Sequence, residues 1–248
     1  MDGAQAARHR LTGSPVARGA AFAAPFPPLL SRGGVPERRE GGVVLSQCNL
    51  PGMFTGIVAA VGRIERVQPR EQGLRLVIDS GPLDLSDVAV GDSIAVNGCC
   101  LTVVARSGAR FEVDVSQETI ACTVGLAAPG EVNLEKSLRL ADRLGGHLLT
   151  GHIDGVGEVI AFEPVGDSYR LVVRAPVPLA KYIARKGSIA VHGVSLTVNR
   201  VDGLEFEVNL IPHTLAVTTL KALKPGARAN LEVDLIARYV ERMLGTVS

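Results

Sequence analysis

The chain contains no tryptophan, few other aromatic residues and almost no net charge. Aromatic residues make up 4% of the 248 residues although 46% are hydrophobic, so aliphatic side chains must fill the core. Lys and Arg number 26 against 25 Asp and Glu, which gives a formal net charge of +1. This balance provides no long-range field to attract a polyanion, and we expect no binding to nucleic acid.

Long apolar runs and metal-binding cysteine patterns are also missing. Charged residues interrupt every hydrophobic stretch before it reaches the roughly 18 residues of a membrane-spanning helix. The four cysteines, Cys48, Cys99, Cys100 and Cys122, lack metal-ligand spacing, and the adjacent pair could form a disulfide only with strain. These features predict a protein with no membrane span and no metal site, in a reducing, cytoplasmic setting.

Residues 1–52 lack the hydrophobic periodicity of a folded segment. They are rich in Ala, Gly, Pro and Arg, and we interpret them as a disordered N-terminal extension. An organellar transit peptide is an alternative, because the first 30 residues carry Arg but only one acid, Asp2. A mis-assigned start codon is a third interpretation, with the functional chain beginning at Met53.

From Phe54 onward the chain repeats itself. A shift of 95 residues aligns FTGIVAAVGRI, from Phe54, with LTGHIDGVGEV, from Leu149. The same shift aligns SIAVNGCCLTV with SIAVHGVSLTV and FEVDVSQET with FEVNLIPHT. One ungapped register over so long a stretch indicates a duplicated domain.

Each copy consists of short segments of β-branched residues bounded by Gly, Pro, Asp or Asn turns. A small domain of such strands must cover its edges, and closure into a Greek-key barrel is a common solution. After Asp234 the apolar residues instead recur on one helical stripe. The sequence therefore predicts an all-β fold of two tandem homologous six-stranded Greek-key barrels, residues 53–148 and 149–234, plus a C-terminal amphipathic helix, residues 235–248.

One strand of each copy carries an outward-facing pair of small polar side chains. In CCLTV, alternation directs Cys99 into the core and places Cys100 and Thr102 on the opposite face. In VSLTV, Ser195 and Thr197 occupy the matching positions. A single cysteine in an apolar strand is often only a small buried hydrophobe. Because the polar pair recurs in the same register, we expect a ligand to bind there.

A histidine breaks the symmetry of the two copies. His152 replaces Ile57 of the first Thr-Gly turn, and His147 lies in the GGH segment just before it. Local sequence does not choose between the two as a proton carrier. The duplication favours His152, because His147 falls before the repeat.

Six segments together resemble the alpha-type riboflavin synthases. They are MFTGIV, NGCCLTV, GGHLLTGHIDG, AKYI, GVSLTV and NLIPHT, and they occur in family order across residues 53–244. The resemblance implies that each barrel binds one 6,7-dimethyl-8-ribityllumazine, and that one lumazine transfers a four-carbon unit to the other without a redox cofactor or metal. It also implies a homotrimer, held largely by the C-terminal oligomerisation helix, in which the productive site forms between subunits. The alternative for this helix is that its apolar stripe packs against its own second barrel. An association with lumazine synthase stays open.

The resemblance assigns site residues by position. The first site would comprise Gly56, Ile57, Val58, Cys100, Leu101, Thr102, Asp114, Val115, Ser116, Gln117, Glu118 and Thr119, with Gly151, His152 and Ile153 contributed by the second Thr-Gly turn. The second site would comprise Lys181, Ser195, Leu196, Thr197, Asn209, Leu210, Ile211, Pro212, His213 and Thr214. We expect Cys100 to act as nucleophile or water positioner, His152 as proton shuttle, and Ser195 and Thr197 to orient the second ring. The group that adds to C7 of a lumazine stays open between Cys100, Ser195, water and a ribityl hydroxyl.

Two histidines depart from the family pattern. His192 stands where the family usually has Asp, and His213 where it usually has Glu, which would change the proton chemistry of the second site.

Two other functions compete with riboflavin synthesis. The main alternative function is a non-catalytic lumazine- or flavin-binding protein on the same fold. A flavin-dependent reductase is disfavoured, because no G-x-G-x-x-G fingerprint follows a strand.

Overall fold

A computed structural model of the protein describes residues 52–245, and twelve strands dominate them. The first six strands are β1 (Ala60–Arg70), β2 (Gly73–Asp79), β3 (Ser93–Val96), β4 (Cys99–Ser107), β5 (Arg110–Ser116) and β6 (Gly130–Lys136). The second six are β7 (Gly155–Val165), β8 (Ser168–Arg174), β9 (Ser188–Val191), β10 (Val194–Asp202), β11 (Glu205–Leu210) and β12 (Arg228–Val233). The helices are α1 (Gln117–Cys122), α2 (Val177–Ala180), α3 (Pro212–Val217), a 3-10 helix (Thr219–Ala222) and α4 (Leu235–Leu244).

The strands close into two barrels of identical topology. The neighbour order is β1-β2-β5-β4-β3-β6 in the first barrel and, equivalently, β7-β8-β11-β10-β9-β12 in the second. All strand pairs are antiparallel, and β1 pairs with β6 as β7 pairs with β12 to complete each barrel. The prediction of two six-stranded Greek-key barrels is confirmed. Closure leaves no strand edge unpaired.

Each barrel has its own, mainly aliphatic core. The fully buried aromatic side chain is Phe111 in the first core and Phe206 in the second. Strand alternation is also confirmed. Cys99 is 5% exposed and belongs to the first core, whereas the Cys100 side chain packs outside that core. Burial raises the pKa of the Cys99 thiol to about 12, so this residue behaves as a small hydrophobe.

We expect Cys99→Ser to lower the free energy of unfolding by about 1–3 kcal/mol, because it places a hydroxyl among apolar side chains. Cys100→Ser should cost clearly less, since that side chain lies on the opposite face. Urea denaturation of both variants measures the difference. Equal losses would contradict the inward orientation of Cys99.

Helix α4 begins where the sequence predicts it, and its apolar stripe faces away from its own barrel. The Asp234 carboxylate caps the helix by accepting a hydrogen bond from the Ile236 amide at 3.0 Å. Ile236, Tyr239 and Met243 are 66%, 65% and 84% exposed. None of the helices within residues 52–245 is long and apolar enough to cross a membrane. The predicted extension, residues 1–52, lies outside the described residues except for Gly52.

Polar side chains of α4 contact the second barrel instead. Arg238 forms an ion pair with Asp154, and Glu241 accepts hydrogen bonds from Lys181 and Tyr182. The helix is thus anchored through charge, and its apolar stripe remains exposed.

Candidate functional site

The two Thr-Gly turns are exchanged between the barrels. The turn that precedes β1 lies against the second barrel, where the Gly56 carbonyl accepts a hydrogen bond from the Ser195 amide at 2.8 Å. The turn that precedes β7 lies against the first barrel, where the Gly151 carbonyl accepts one from the Cys100 amide, also at 2.8 Å. Each turn therefore contacts the first member of the outward-facing pair of the other barrel, Ser195 or Cys100.

Glycine is required in both turns. Gly56 and Gly151 have φ values of 75° and 74°, in the left-handed region that favours glycine. A Cβ atom would lie 2.6 Å from the Cβ of Ser195 in the first case and of Cys100 in the second. The turns can approach the opposite barrel this closely only without a side chain.

Because the turns are exchanged, some residues predicted for one site lie beside the other. Val58 packs against the core of the second barrel, and Ile153 packs against the core of the first. Gly56, Ile57 and Val58, which were expected in the first site with Cys100, are placed instead on the Ser195 side. Gly151, His152 and Ile153 lie on the Cys100 side, as expected.

Cys100 lies in an apolar seam between the barrels, packed against a small cluster. That cluster comprises Phe54, Ala95, Leu149 and Ala190. Burial, and secondarily the charge of Glu232, raise the pKa of the Cys100 thiol against the opposing effect of a hydrogen bond with Ser93. At neutral pH the residue is therefore a thiol and not a thiolate.

Ser195 forms a hydrogen bond with a histidine that sequence analysis left unassigned. The His147 Nδ1 atom lies 2.7 Å from the Ser195 Oγ atom. His147 is 8% exposed, and burial lowers the pKa of its imidazole. Its Nε2 atom has no hydrogen-bond partner among the described residues. A neutral imidazole beside a hydroxyl is the arrangement that activates a nucleophile.

His152, the predicted proton shuttle, is exposed on the turn that covers Cys100. Its carbonyl accepts a hydrogen bond from Arg238 of α4 at 3.4 Å. Helix α4 thus holds the main chain of the residue and leaves the imidazole accessible.

The other predicted site residues fall into three groups by burial. Four have side chains in the barrel cores and can offer a ligand only their main chain: Leu101, Val115, Leu196 and Leu210. Twelve are exposed: Ile57, Thr102, Asp114, Ser116, Gln117, Glu118, Lys181, Thr197, Asn209, Ile211, Pro212 and His213. Two more, Thr119 and Thr214, are partly buried.

The two barrels differ at the end of β5 and its equivalent, β11. Arg75 binds both carboxylate oxygens of Asp114 at 2.7 Å, and this hydrogen bonding lowers the pKa of the Asp114 carboxyl. Asn209, the equivalent residue, accepts a hydrogen bond from Ser168 at 3.0 Å. The first barrel therefore presents a charged group where the second presents an amide. An open groove of about 580 Å³ runs along residues 70–75 and 114–116 of the first barrel.

The two histidines that depart from the family pattern lie in different environments. His192 is buried in the β9–β10 turn, where its carbonyl accepts a hydrogen bond from the Asn133 side chain of the other barrel at 2.9 Å. Burial lowers the pKa of His192 to about 4, so its ring is neutral. His213 is exposed on α3. His192 thus belongs to the contact between the barrels.

Two buried carboxylates, which sequence analysis did not single out, hold the Thr-Gly turns. Glu135 accepts hydrogen bonds from the Thr55 amide and hydroxyl, both at 2.7 Å, and from the Gly56 amide at 3.0 Å. Glu232 accepts the equivalent three from Thr150 and Gly151 at 2.7, 2.9 and 3.0 Å. Burial raises the pKa of Glu135 to about 6, against the effect of these donors, and it raises the pKa of Glu232 as well.

A sequence signal for these carboxylates exists. The triplet Asn-Leu-Glu ends at Glu135 in the first copy and at Glu232 in the second, a separation of 97 residues. The ungapped register of 95 residues does not align them. Within residues 52–245, no group of three or more His, Cys, Asp or Glu side chains could hold a metal ion.

Comparison with known proteins places this architecture in a family. The model of the lumazine binding domain matches residues 55–137 and again 150–234. The riboflavin synthase of Photobacterium phosphoreum is 44% identical over 198 residues, covering 77% of this chain and 89% of that protein. That of Brucella abortus is also 44% identical over 198 residues, covering 77% of this chain and 98% of that protein.

Solved structures show the same fold with ligands bound. LumP complexed with riboflavin superposes with a TM-score of 0.65 at 30% identity, covering 73% of this chain and 98% of that one. LumP complexed with 6,7-dimethyl-8-(1'-D-ribityl) lumazine superposes with a TM-score of 0.64 at 28% identity and the same coverage. With both barrels matched and relatives aligned over most of its length, the chain belongs to the riboflavin synthase family of proteins with two lumazine-binding domains.

Proposed function

We propose that the protein is a riboflavin synthase, a transferase that converts two molecules of 6,7-dimethyl-8-ribityllumazine into riboflavin and 5-amino-6-ribitylaminouracil. The observation that carries this proposal is the pair of exchanged turns, each covering a strand with a nucleophilic side chain, Cys100 or Ser195. The synthases that resemble this chain align with both barrels. The two products contain together all the atoms of the two substrates, so the reaction needs no external oxidant.

The reaction requires one electrophilic and one carbanionic lumazine. The methyl group at C7 of the substrate is acidic, and loss of a proton makes one molecule a carbanion. Addition of a nucleophile at C7 makes the other an acceptor for the four-carbon transfer. The protein must hold the two rings face to face and move protons between them.

The second site suits the addition step. Ser195 can add its Oγ atom, or an oriented water, to C7 while His147 takes the proton on Nδ1. The lowered pKa of His147 keeps the imidazole neutral and able to accept that proton. Thr197, exposed on the same strand face, orients the ring.

The first site suits the carbanion. Cys100 stays protonated, because burial raises its pKa, and it orients the ring or a water as a hydrogen-bond donor. His152 is exposed beside it and exchanges the proton of the methyl group with solvent.

We expect Cys100→Ser and His152→Gln each to lower turnover about tenfold or more, as loss of positioned proton transfer does. Neither should change the melting temperature greatly, because neither side chain lies in a barrel core. Steady-state kinetics with thermal denaturation test both statements. Full turnover by His152→Gln would remove that residue from the mechanism.

The assembled enzyme is proposed to be a homotrimer in the cytoplasm. The exposed apolar stripe of α4 suits a helix–helix contact between subunits. Cys99, Cys100 and Cys122 are all unpaired, which suits a reducing compartment.

Incubating the full-length protein with 6,7-dimethyl-8-ribityllumazine tests the proposal. We expect one riboflavin for every two lumazines consumed, with no added cofactor. Chromatography with fluorescence detection measures both compounds. Saturable lumazine binding without product would identify the alternative, a non-catalytic lumazine-binding protein.

A further inference from the structure

Glu135 and Glu232 each belong to one barrel and hold a turn that contacts proposed reactive residues of the other. Glu135 lies on β6 of the first barrel and Glu232 on β12 of the second, and they are 8% and 3% exposed. A buried carboxylate is costly unless its oxygens are satisfied, and here three donors of one turn satisfy each of them. These contacts specify the turn geometry.

The turn held by Glu135 reaches both members of the histidine–serine pair. The Thr55 carbonyl accepts a hydrogen bond from the His147 amide at 3.1 Å, and the Gly56 carbonyl accepts one from the Ser195 amide at 2.8 Å. The two side chains that must meet are thus supported by adjacent carbonyls of a single turn. A shift of this turn would change the contact between His147 and Ser195.

The turn held by Glu232 carries His152 itself and, outside the turn, contacts Cys100 among the proposed reactive residues. The Gly151 carbonyl accepts the Cys100 amide, and Gly151 packs against the Cys100 Cβ atom so closely that no side chain fits. The two carboxylates therefore make equivalent contacts with their own turns but support different chemistry.

We propose that Glu135 and Glu232 are crossed positioning residues. Glu135, in the first barrel, positions the His147–Ser195 pair of the second site. Glu232, in the second barrel, positions Cys100 of the first site through the turn that covers it. This inference rests on the function proposed above, but its first test is chemical modification and does not depend on turnover.

The first test measures how fast iodoacetamide alkylates Cys100 in the folded protein. In a Cys48→Ser/Cys122→Ser background, only Cys100 and the core residue Cys99 remain as thiols. Glu232→Gln replaces one acceptor oxygen with an amino group, so the second turn loses at least one hydrogen bond. We expect alkylation of Cys100 to accelerate at least about fivefold, as local opening increases.

Glu135→Gln is the matched control, because it makes the same change in the other barrel. It should leave the alkylation rate of Cys100 within about twofold of the parent rate. Equal acceleration by both variants would indicate general loosening and would overturn the proposal. So would no acceleration by Glu232→Gln.

Thr150→Val and Thr55→Val keep the test valid if a glutamine variant fails to fold. Each removes only the hydroxyl donor to its carboxylate, at 2.9 Å from Glu232 and 2.7 Å from Glu135. They also retain the negative charge, which itself affects the Cys100 thiol. Thr150→Val should therefore accelerate alkylation of Cys100, and Thr55→Val should not.

The second test uses the pH–rate profile of riboflavin formation. Glu135→Gln should lower kcat and shift the acidic limb that His147 produces, because it disturbs the environment of that imidazole. Glu232→Gln should lower kcat without shifting this limb. If the unmodified protein forms no riboflavin, the proposed function fails, whereas the alkylation result still decides the crossed arrangement. A shifted limb in Glu232→Gln alone would overturn it.

Discussion

Ser195→Ala is expected to lower kcat at least about a hundredfold, because it removes the hydroxyl that His147 activates. His147→Gln should cause a similar loss, since a glutamine side chain cannot accept and return the proton. The double variant should be little worse than either single variant, because two residues that act as one unit are not additive in their effects. Steady-state kinetics of the three variants measure these losses.

Ser86→Ala provides a matched control. Ser86 lies in an exposed loop, where its hydroxyl donates to Asp84, and its loss should leave kcat unchanged. In the wild-type protein kcat should also fall on the acidic side, where the His147 imidazole becomes protonated, and this limb should lie at lower pH than for an ordinary histidine, since burial lowers the pKa of His147. Independent, multiplicative losses in the double variant would show that the two side chains do not act together.

The fold could be predicted because its signals are local and occur twice. Alternation along CCLTV and VSLTV requires only the geometry of one extended strand, and it placed Cys99 inward and Cys100 outward as the structure does. The ungapped repeat then indicated that both copies fold alike. Neither inference depends on how the two barrels contact one another.

The exchange of the Thr-Gly turns could not be predicted in this way. Comparing the copies aligns Gly56 with Gly151, but it does not reveal which barrel either turn covers. The clue is steric: each glycine lies too close to the other barrel for a Cβ atom. That information exists only once the barrels are packed, so Gly56 was grouped with Cys100 instead of Ser195.

Sequence analysis favoured His152 over His147 and missed the two carboxylates, for related reasons. His147 lies in the segment between the barrels that has no counterpart in the repeat, and comparison of the copies therefore favoured His152. Glu135 and Glu232 do have counterparts, but the separation of 97 residues removes them from the register of 95. A buried acid in an aliphatic strand is itself a signal, because such a position needs a specific partner.

The charged anchor and the apolar stripe of α4 can be separated by mutation. Arg238 and Glu241 hold the helix on its own barrel, next to Asp154 and Lys181. Truncation after Asp234 would remove these contacts together with the stripe, and a loss of turnover would then have two explanations. Substitutions on the exposed stripe leave the anchor intact.

Ile236→Glu/Met243→Glu should therefore convert the proposed trimer into a monomer while leaving the folded barrels and lumazine binding intact. Both side chains are mostly exposed in the single chain, so the charges disturb no barrel core, but they would be buried in a helix–helix contact. Turnover should fall at least about a hundredfold, because the sites of neighbouring subunits no longer hold their two lumazines together. Val90→Glu, at an exposed apolar residue outside the helix, is the control and should remain trimeric and active. Sedimentation and steady-state kinetics measure both properties, and a fully active monomer would show that one chain brings its own two sites together.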